Sequence, residues 1–500
     1  MIDNEVNVNE SKIVKTDEGS SNGQDKCPKC GATDISTNTK TGKLRCNFCR
    51  HEFDPEKVSG LETDISKLSG EIIGSGATDI IADTKDVLTF KCSSCGAEVV
   101  IDTEHSLQAR CHWCRNTLSV NEQIPNGAVP DVVLAFNVTK ADAKKEIENF
   151  VGKRKFFAHP KFRHEFTTEN IMGVYFPYML VDANTHVNYS GQGEIQKRKY
   201  YVGSGDNQEA RYDADVYHIE RECDLTINGL SIESNSDRLN TEDKTKTNNI
   251  INAIMPFDVE NVSKYNANYL KGYTSERRDT NTNDLKPLVE VQSKDIARHS
   301  LNTTLKQYDR GVSWSKEEFN LKGMQWQSAY LPVWLYSYLE VKGDKKLLHY
   351  VAVNARTKKT MGSVPIHMPK LILVSALIEV LCIFLMLSVD WDSSWLFLLG
   401  GIIYFFVMYS RYRNKGARHT YETDTKTEIL NLRKVDNFVE TKKGLENQFI
   451  DGMNNTRVDG KNVSGKSLGI GNKLANEFIE NNAFASMIKE QIDKNDKKDH

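Results

Sequence analysis

Eight of the ten cysteines stand in two copies of one pattern, Cys27-x2-Cys30-x15-Cys46-x2-Cys49 and Cys92-x2-Cys95-x15-Cys111-x2-Cys114. Each copy offers four thiolates in two close pairs, the donor set of a tetrahedral zinc site, and a short hairpin between the pairs closes the coordination sphere. Four sulfurs leave no open position for water, so each of the two zinc ions is expected to be structural, supplying folding energy and not catalysis. The copies agree beyond the ligands: Gly31 and Ala32 match Gly96 and Ala97, Arg45 matches Arg110, and Arg50 matches Arg115. This is an internal duplication. A glycine after a CxxC pair suits a turn that needs positive φ. Disulfides are the alternative use of such cysteines. Close CxxC pairs behind a polar, acidic first stretch without a signal peptide read instead as reduced thiols in the cytosol.

No other group of residues carries a catalytic pattern. Gly460-x4-Gly465-Lys466-Ser467 fits the phosphate-loop spacing, but a polar stretch precedes it and Gly469 and Gly471 interrupt the helix that must follow. His159 and His164 are spaced loosely like metal ligands with Pro160 between them, and no acidic helix accompanies them. Asp213 and Asp215 point to one face of an expected strand without a second catalytic partner. Cys223 and Cys382 stand singly in apolar settings and read as small hydrophobes. The chain is therefore expected not to be an enzyme.

The elements that would carry the ribbons follow from hydropathy and charge. A net charge of −3, from 65 basic and 68 acidic residues, argues against a dedicated nucleic-acid binder. The first ribbon alone is basic, with Lys26, Lys29, Lys40, Lys43, Arg45 and Arg50 against Asp34 and Glu52, although each zinc–tetrathiolate centre adds negative charge. Residues 371–389 (LILVSALIEVLCIFLMLSV) and 395–409 (WLFLLGGIIYFFVMY) read as two transmembrane helices joined by a short turn. Lys358, Lys359 and Lys370 precede this hairpin and Arg411, Arg413, Lys415 and Arg418 follow it. The turn holds Asp390 and Asp392 but no basic residue, which predicts a two-span protein of the cytoplasmic membrane with both termini in the cytoplasm. Glu379, near the middle of the first span, costs roughly 2.5–3.5 kcal/mol on insertion scales. It is either a helix-contact or oligomer-forming group or a tolerated passenger.

Between ribbons and hairpin the sequence predicts a duplicated α+β domain. The first half has Phe136-Asn137-Val138, a helical stretch over 140–151 and the strand pattern VYFPYML at 174–180. The second repeats this order with Phe257-Asp258-Val259, a helical stretch over 287–307 and AYLPVWL at 329–335. Pro177 and Pro332 should mark the same corner of each repeat. The expected organisation is a disordered tail (1–25), zinc ribbon 1 (26–54), a linker (55–89) that has apolar residues enough to pack, zinc ribbon 2 (90–120), α+β repeats 1 (121–250) and 2 (251–366), the transmembrane helical hairpin (370–410) and a polar cytoplasmic tail with short helices (411–500).

The run CSSCGAEVVIDTEHSLQARCHWCRNTL at 92–118, the following IPNGAVPDVVLAF, GVYFPYMLVDA and YLPVWLYSY with HYVAVNARTKKTMGSVPI resemble bacterial membrane-anchored twin-zinc-ribbon proteins. These are often labelled primosomal-helicase-like or transcription-factor-type zinc-ribbon proteins. The resemblance covers about residues 26–410, and the helicase label does not transfer because the motor motifs are missing. It implies an envelope-stress association with phage-shock-type membrane coat proteins, the ribbons docking partners and the hairpin anchoring them. The expectation is thus a non-enzymatic membrane scaffold recruiting cytoplasmic proteins to the lipid bilayer. The alternative is a membrane-tethered nucleic-acid binder that uses the basic first ribbon, with Phe48 or Trp113 stacking on bases.

Overall fold

The computed structural model describes residues 12–14, 27–32, 35–38, 41, 43–54, 61–80, 87–91, 98–102, 109–110, 117–118, 123–125, 130–203, 209–235, 252–265, 269, 273–275, 278, 280–342, 345–388, 399–413 and 420–446. The largest assembly among them is one mixed β-sheet of 11 strands. Its principal strands are β1 (Gly70–Gly74), β2 (Met172–Val202), β3 (Glu209–Glu233), β4 (Val312–Lys342), β5 (Lys345–Asn354) and β6 (Lys426–Glu446). Along the sheet the order is Lys12–Val14, β1, β4, β2, β3, β6, and β5 pairs with the end of β4. The helices among the described residues are α1 (Lys140–Gly152), α2 (Pro160–Glu165), α3 (Thr282–Asn302), α4 (Met368–Ser388), α5 (Gly400–Arg413) and α6 (Tyr421–Asp424).

Two of the strands have 31 residues each. At about 3.3 Å per residue such a strand runs on the order of 100 Å. Near its start β2 is buried on both sides, and its side chains divide by parity. Tyr175, Met179 and Val181 enter one apolar layer beneath the helices, whereas Val174, Phe176, Tyr178 and Leu180 enter the opposite one with Ile254, Phe257 and Leu331. α1 buries Ala143, Ile147, Phe150 and Val151 on one stripe and is capped by Thr139, whose hydroxyl accepts the Asp142 N–H at 3.2 Å. A capping box of Asn281 and Asp284 starts α3, which buries Leu285, Val289, Ile296 and Leu301.

This architecture corrects the expected fold class. The chain is not a duplicated α+β domain followed by a two-helix transmembrane hairpin and a polar helical tail. The two halves share one sheet: Tyr175 lies opposite Pro332, Phe176 opposite Leu331 and Pro177 opposite Tyr330. The physical reason is the length of the strands. A half on its own would leave one edge of a 31-residue strand without backbone partners. Pro177 and Pro332 stand where β2 and β4 are about to gain another neighbour, since β3 pairing begins at Tyr178 and β5 pairing at Val333.

The segments expected as tail and linker also feed the sheet. Lys12–Val14 pairs in parallel with β1, and β1 in parallel with β4. The buried Asp131 carboxylate accepts the Gly76 N–H at 2.7 Å and the Ser328 N–H at 2.8 Å, fastening the middle of the linker to β4. Part of the polar tail expected to hold short helices is instead β6, because the outer edge of the 25-residue β3 needs main-chain partners over most of its length.

The two-span localisation is corrected as well. By length and composition one described helix can cross a membrane, α4 over Met368–Met386, with 11% of its apolar window buried. α5 has 14 residues and covers about 21 Å, short of a hydrocarbon core near 30 Å. Membrane topology and the placement of the termini therefore do not follow from a pair of spans. The two helices lie antiparallel and are rooted in the sheet domain: Leu371 and Tyr412 are buried beside Phe157, whose N–H donates to the Tyr412 hydroxyl at 3.1 Å.

Candidate metal centre

The first ribbon is built from three short strands. Ile35 lies opposite Cys46, Thr37 opposite Leu44, and Leu44 opposite Phe53. Two knuckles present the sulfurs, and their main-chain bonds repeat. In the first, Cys27 N–H donates to Ala32 O at 2.8 Å and Gly31 N–H to Cys27 O at 2.8 Å. In the second, Cys46 N–H donates to His51 O at 2.9 Å and Arg50 N–H to Cys46 O at 2.9 Å. Gly31 (φ 73°) and Arg50 (φ 59°) occupy the same left-handed position, which is free of strain for the glycine and costly for the arginine.

Cys27, Cys30, Cys46 and Cys49 bring their sulfurs within 4.8 Å of one another. The Cys27 and Cys49 sulfurs are 3.5 Å apart and those of Cys30 and Cys46 3.6 Å apart, so neither pair is a disulfide. A zinc–sulfur bond of about 2.3 Å sets the edge of a tetrahedron near 3.8 Å, and the four sulfurs fit that figure. The Cys49 N–H points at the Cys46 sulfur from 3.5 Å, as thiolates that accept from the main chain require.

The thiols pull against each other. At Cys27, burial is outweighed by the N–H groups of Lys29 and Cys30 and by neighbouring sulfurs, which bring its thiol down to about 7. At Cys30, the Ala32 N–H favours the thiolate, but burial and the sulfurs of Cys49, Cys46 and Cys27 push the thiol up to about 12. Four crowded sulfurs do not all ionise without a cation among them, and a divalent ion supplies the missing charge. Such a closed site organises the ribbon. Ile35 and Leu44 are buried in the same apolar layer as Phe136, Tyr265 and Tyr269, so the ribbon is seated on the sheet domain. Phe48, between the third and fourth ligands, projects outward and is 81% exposed.

Cys92, Cys95, Cys111 and Cys114 lie outside the described residues, as do Trp113 and the phosphate-loop lookalike at 460–467. The strands around the second cysteine set are described, and one ladder of the first ribbon recurs there at a constant offset, while 98–102 pairs with 87–91. Ala109 lies opposite Leu118 and Arg110 opposite Thr117, in the register of Leu44 with Phe53 and Arg45 with Glu52.

The remaining candidates do structural work. His159 caps the start of α2 and its ring lies 5.9 Å from that of His367, with His164 on α2 itself; neither joins a metal-binding group among the described residues. Asp213 pairs with Arg198 and accepts the Gly444 N–H, while Asp215 pairs with Lys197 and accepts the Thr441 hydroxyl, so both fasten β6 to β3. Cys223 is buried among Val187, Tyr189 and Leu225, and burial pushes its thiol up to about 11. Cys382 packs where a Cβ on Gly400 would come within 2.4 Å of its sulfur. Glu379 is a helix-contact group: its carboxylate accepts the Gly401 N–H at 2.7 Å, satisfying a main-chain donor in the first turn of α5.

Sequence reading did not single out two polar knots, at Asp131 and at Asp224. The Asp224 carboxylate accepts from Lys322 at 2.5 Å, His186 at 2.9 Å and Asn431 at 3.1 Å, joining β4, β2 and β6 to β3. Nothing in the local sequence marks these groups, because their partners are distant in the chain.

Fold and site together define a four-cysteine metal ribbon seated on a large mixed β-sheet that also carries an apolar helix. The chain is 22% identical over 346 residues to the uncharacterized protein YdjG of Bacillus subtilis (strain 168), an alignment covering 69% of this chain and 91% of that protein. No family model matches the chain, and no solved structure matches it.

Proposed function

We propose that this protein is a non-enzymatic scaffold that holds zinc ribbons against a membrane-associated sheet domain and recruits soluble proteins to them. The observation that carries the reading is the closed four-sulfur set of Cys27, Cys30, Cys46 and Cys49 on a ribbon anchored by Ile35 and Leu44. A site without an open position offers a surface in place of a reaction. Phe48, 81% exposed on the second knuckle, gives that surface an aromatic anchor of the kind that dominates protein interfaces.

A second zinc ion at Cys92, Cys95, Cys111 and Cys114 completes the proposal, supported by the repeated spacing and by the shared strand register. Attachment to the bilayer is assigned to α4, supported by its apolar length and outward-facing side chains. The resemblance to membrane-anchored twin-zinc-ribbon proteins favours envelope-stress partners, including phage-shock-type coat proteins.

Affinity recovery of the full chain from its native membranes tests this reading. Partners should be recovered with the parent protein and lost with Phe48→Ala, which leaves the sulfurs in place, and with Cys46→Ser. Elemental analysis should give two zinc ions per chain. Unchanged recovery with both variants would sink the docking role, and one zinc per chain would sink the second site.

The exposed Phe48, two residues before Arg50 on a ribbon rich in basic residues, also favours a second reading, in which ribbon 1 stacks on single-stranded nucleic acid. Salt-dependent binding of an oligonucleotide, abolished by Phe48→Ala, is its expected outcome. No shift at low salt would dismiss it.

A further inference from the structure

We infer that the rim around the root of α4 and α5 is a binding surface for the anionic headgroups of a lipid bilayer. The inference deepens, and rests on, the membrane attachment proposed above. Its first ground is the outward face of the helical pair, where Leu373 (62% exposed), Leu377 (62%) and Val380 (65%) have no protein covering them among the described residues. The second is what borders that face at its sheet-domain end.

The segment between α1 and α2 reads Lys153-Arg154-Lys155-Phe156-Phe157, and it is fixed against the helix roots. The Lys370 ammonium donates to Phe156 O at 2.8 Å and sits 3.8 Å from the centre of the Phe156 ring, which is 58% exposed. Arg154 donates through Nε to Arg411 O at 3.2 Å and stacks on Phe150 at 3.6 Å. Its guanidinium is pushed down to about 10 by burial and then by the neighbouring Arg411 charge.

Among the described residues no carboxylate pairs with Lys153, Arg154, Lys155, Lys370 or Arg411, whereas Lys161 on α2 does have Glu165 at 3.9 Å. A cluster of like charges held together by main-chain bonds calls for anions from outside. An exposed aromatic ring at the border between an apolar surface and basic side chains matches the interfacial layer of a bilayer, where rings and long cations sit at headgroup depth. Continuity with the exposed helix face selects a lipid surface over a dissolved phosphate, because the same plane would hold the ring, the cations and the start of the apolar layer.

The experiment dilutes the full chain from detergent onto vesicles of phosphatidylcholine alone, or of phosphatidylcholine with phosphatidylglycerol, and reads partition by flotation. The parent protein should favour the anionic vesicles at low salt and lose the preference at high salt. Each basic residue near the surface is worth about fivefold in partition. Lys153→Gln with Lys155→Gln, two exposed positions of that segment, should therefore reduce the anionic preference by about 25-fold and leave partition to pure phosphatidylcholine unchanged. The same positions as Lys153→Arg with Lys155→Arg should retain it. Equal partition of the parent onto both vesicles, or a Gln variant that keeps the preference, overturns the headgroup surface and leaves the membrane attachment standing. Failure to float with either vesicle overturns the attachment and the headgroup surface together.

Discussion

The first ribbon and the long sheet both put apolar side chains under β-strands, but they obtain their cohesion from different sources. Ribbon strands of two or three residues bury Ile35 and Leu44 and little else of their own. Strands of 25 and 31 residues bury whole layers, including Trp326 at 0% exposed, and need no ion. A module too small for a core requires a staple, and four sulfurs placed within reach of one cation are suited to provide it. Within the sheet itself, the paired carboxylates of Asp213, Asp215 and Asp224 fasten neighbouring strands to one another alongside the apolar layers.

The sharpest way to break this contrast is to remove the metal. Structural zinc contributes about 10–16 kcal/mol to folding of such peptides near neutral pH, so chelation should abolish amide protection over Ile35–Thr37 and Leu44–Cys46 while β2 and β4 stay protected. Hydrogen exchange measures both at once, and a ribbon that keeps its protection without zinc would refute the staple. A smaller effect is expected inside the sheet, where Trp326→Ala should cost about 3–5 kcal/mol in denaturant unfolding and leave the zinc content unchanged. Trp326→Phe should cost less, because the buried indole N–H has no acceptor among the described residues.

The smallest effect concerns the polar fastening. Lys322 first, then His186, holds the Asp224 carboxyl well below the usual carboxylate range. A depressed folded-state value gives stability that is full above about pH 4 and is lost as pH falls toward that lower value. Asp224→Asn should lower stability at neutral pH by about 1.5–3 kcal/mol, the range for hydrogen bonds to a charged group, and flatten the acid limb of the stability profile. An unchanged acid limb would assign the acid sensitivity to other groups.

Much of the metal site was legible in the chain itself. Spacing placed four sulfurs in reach of one another, and the CxxC turns were implied by Gly31, although Arg50 shows that the second knuckle accepts a left-handed residue without glycine. Helical stripes at Ala143, Ile147 and Phe150 were readable for the same local reason, a repeat of 3.6 residues. Strand pairing was not. VYFPYML and AYLPVWL carry identical signals whether they stand in separate repeats or bond to each other, since period-2 alternation names a face and leaves the neighbour open. The same ambiguity hid β6, whose charged composition suggested a helix until the edge of β3 supplied main-chain partners.

Short-range patterns, then, were legible in the sequence: which four sulfurs come within reach of one ion, which stripe of α1 is apolar, and that α4 is apolar over a membrane-crossing length, while the second span expected over 395–409 yields only the 14-residue α5. Only the tertiary structure decided that the two halves form one sheet, that Glu379 satisfies the N–H of Gly401, and that Arg154 meets Arg411 across the root of the helical pair. The reason is range. Ligand spacing and helical periodicity act over a few residues, whereas backbone pairing and charge juxtaposition join residues tens to hundreds of positions apart.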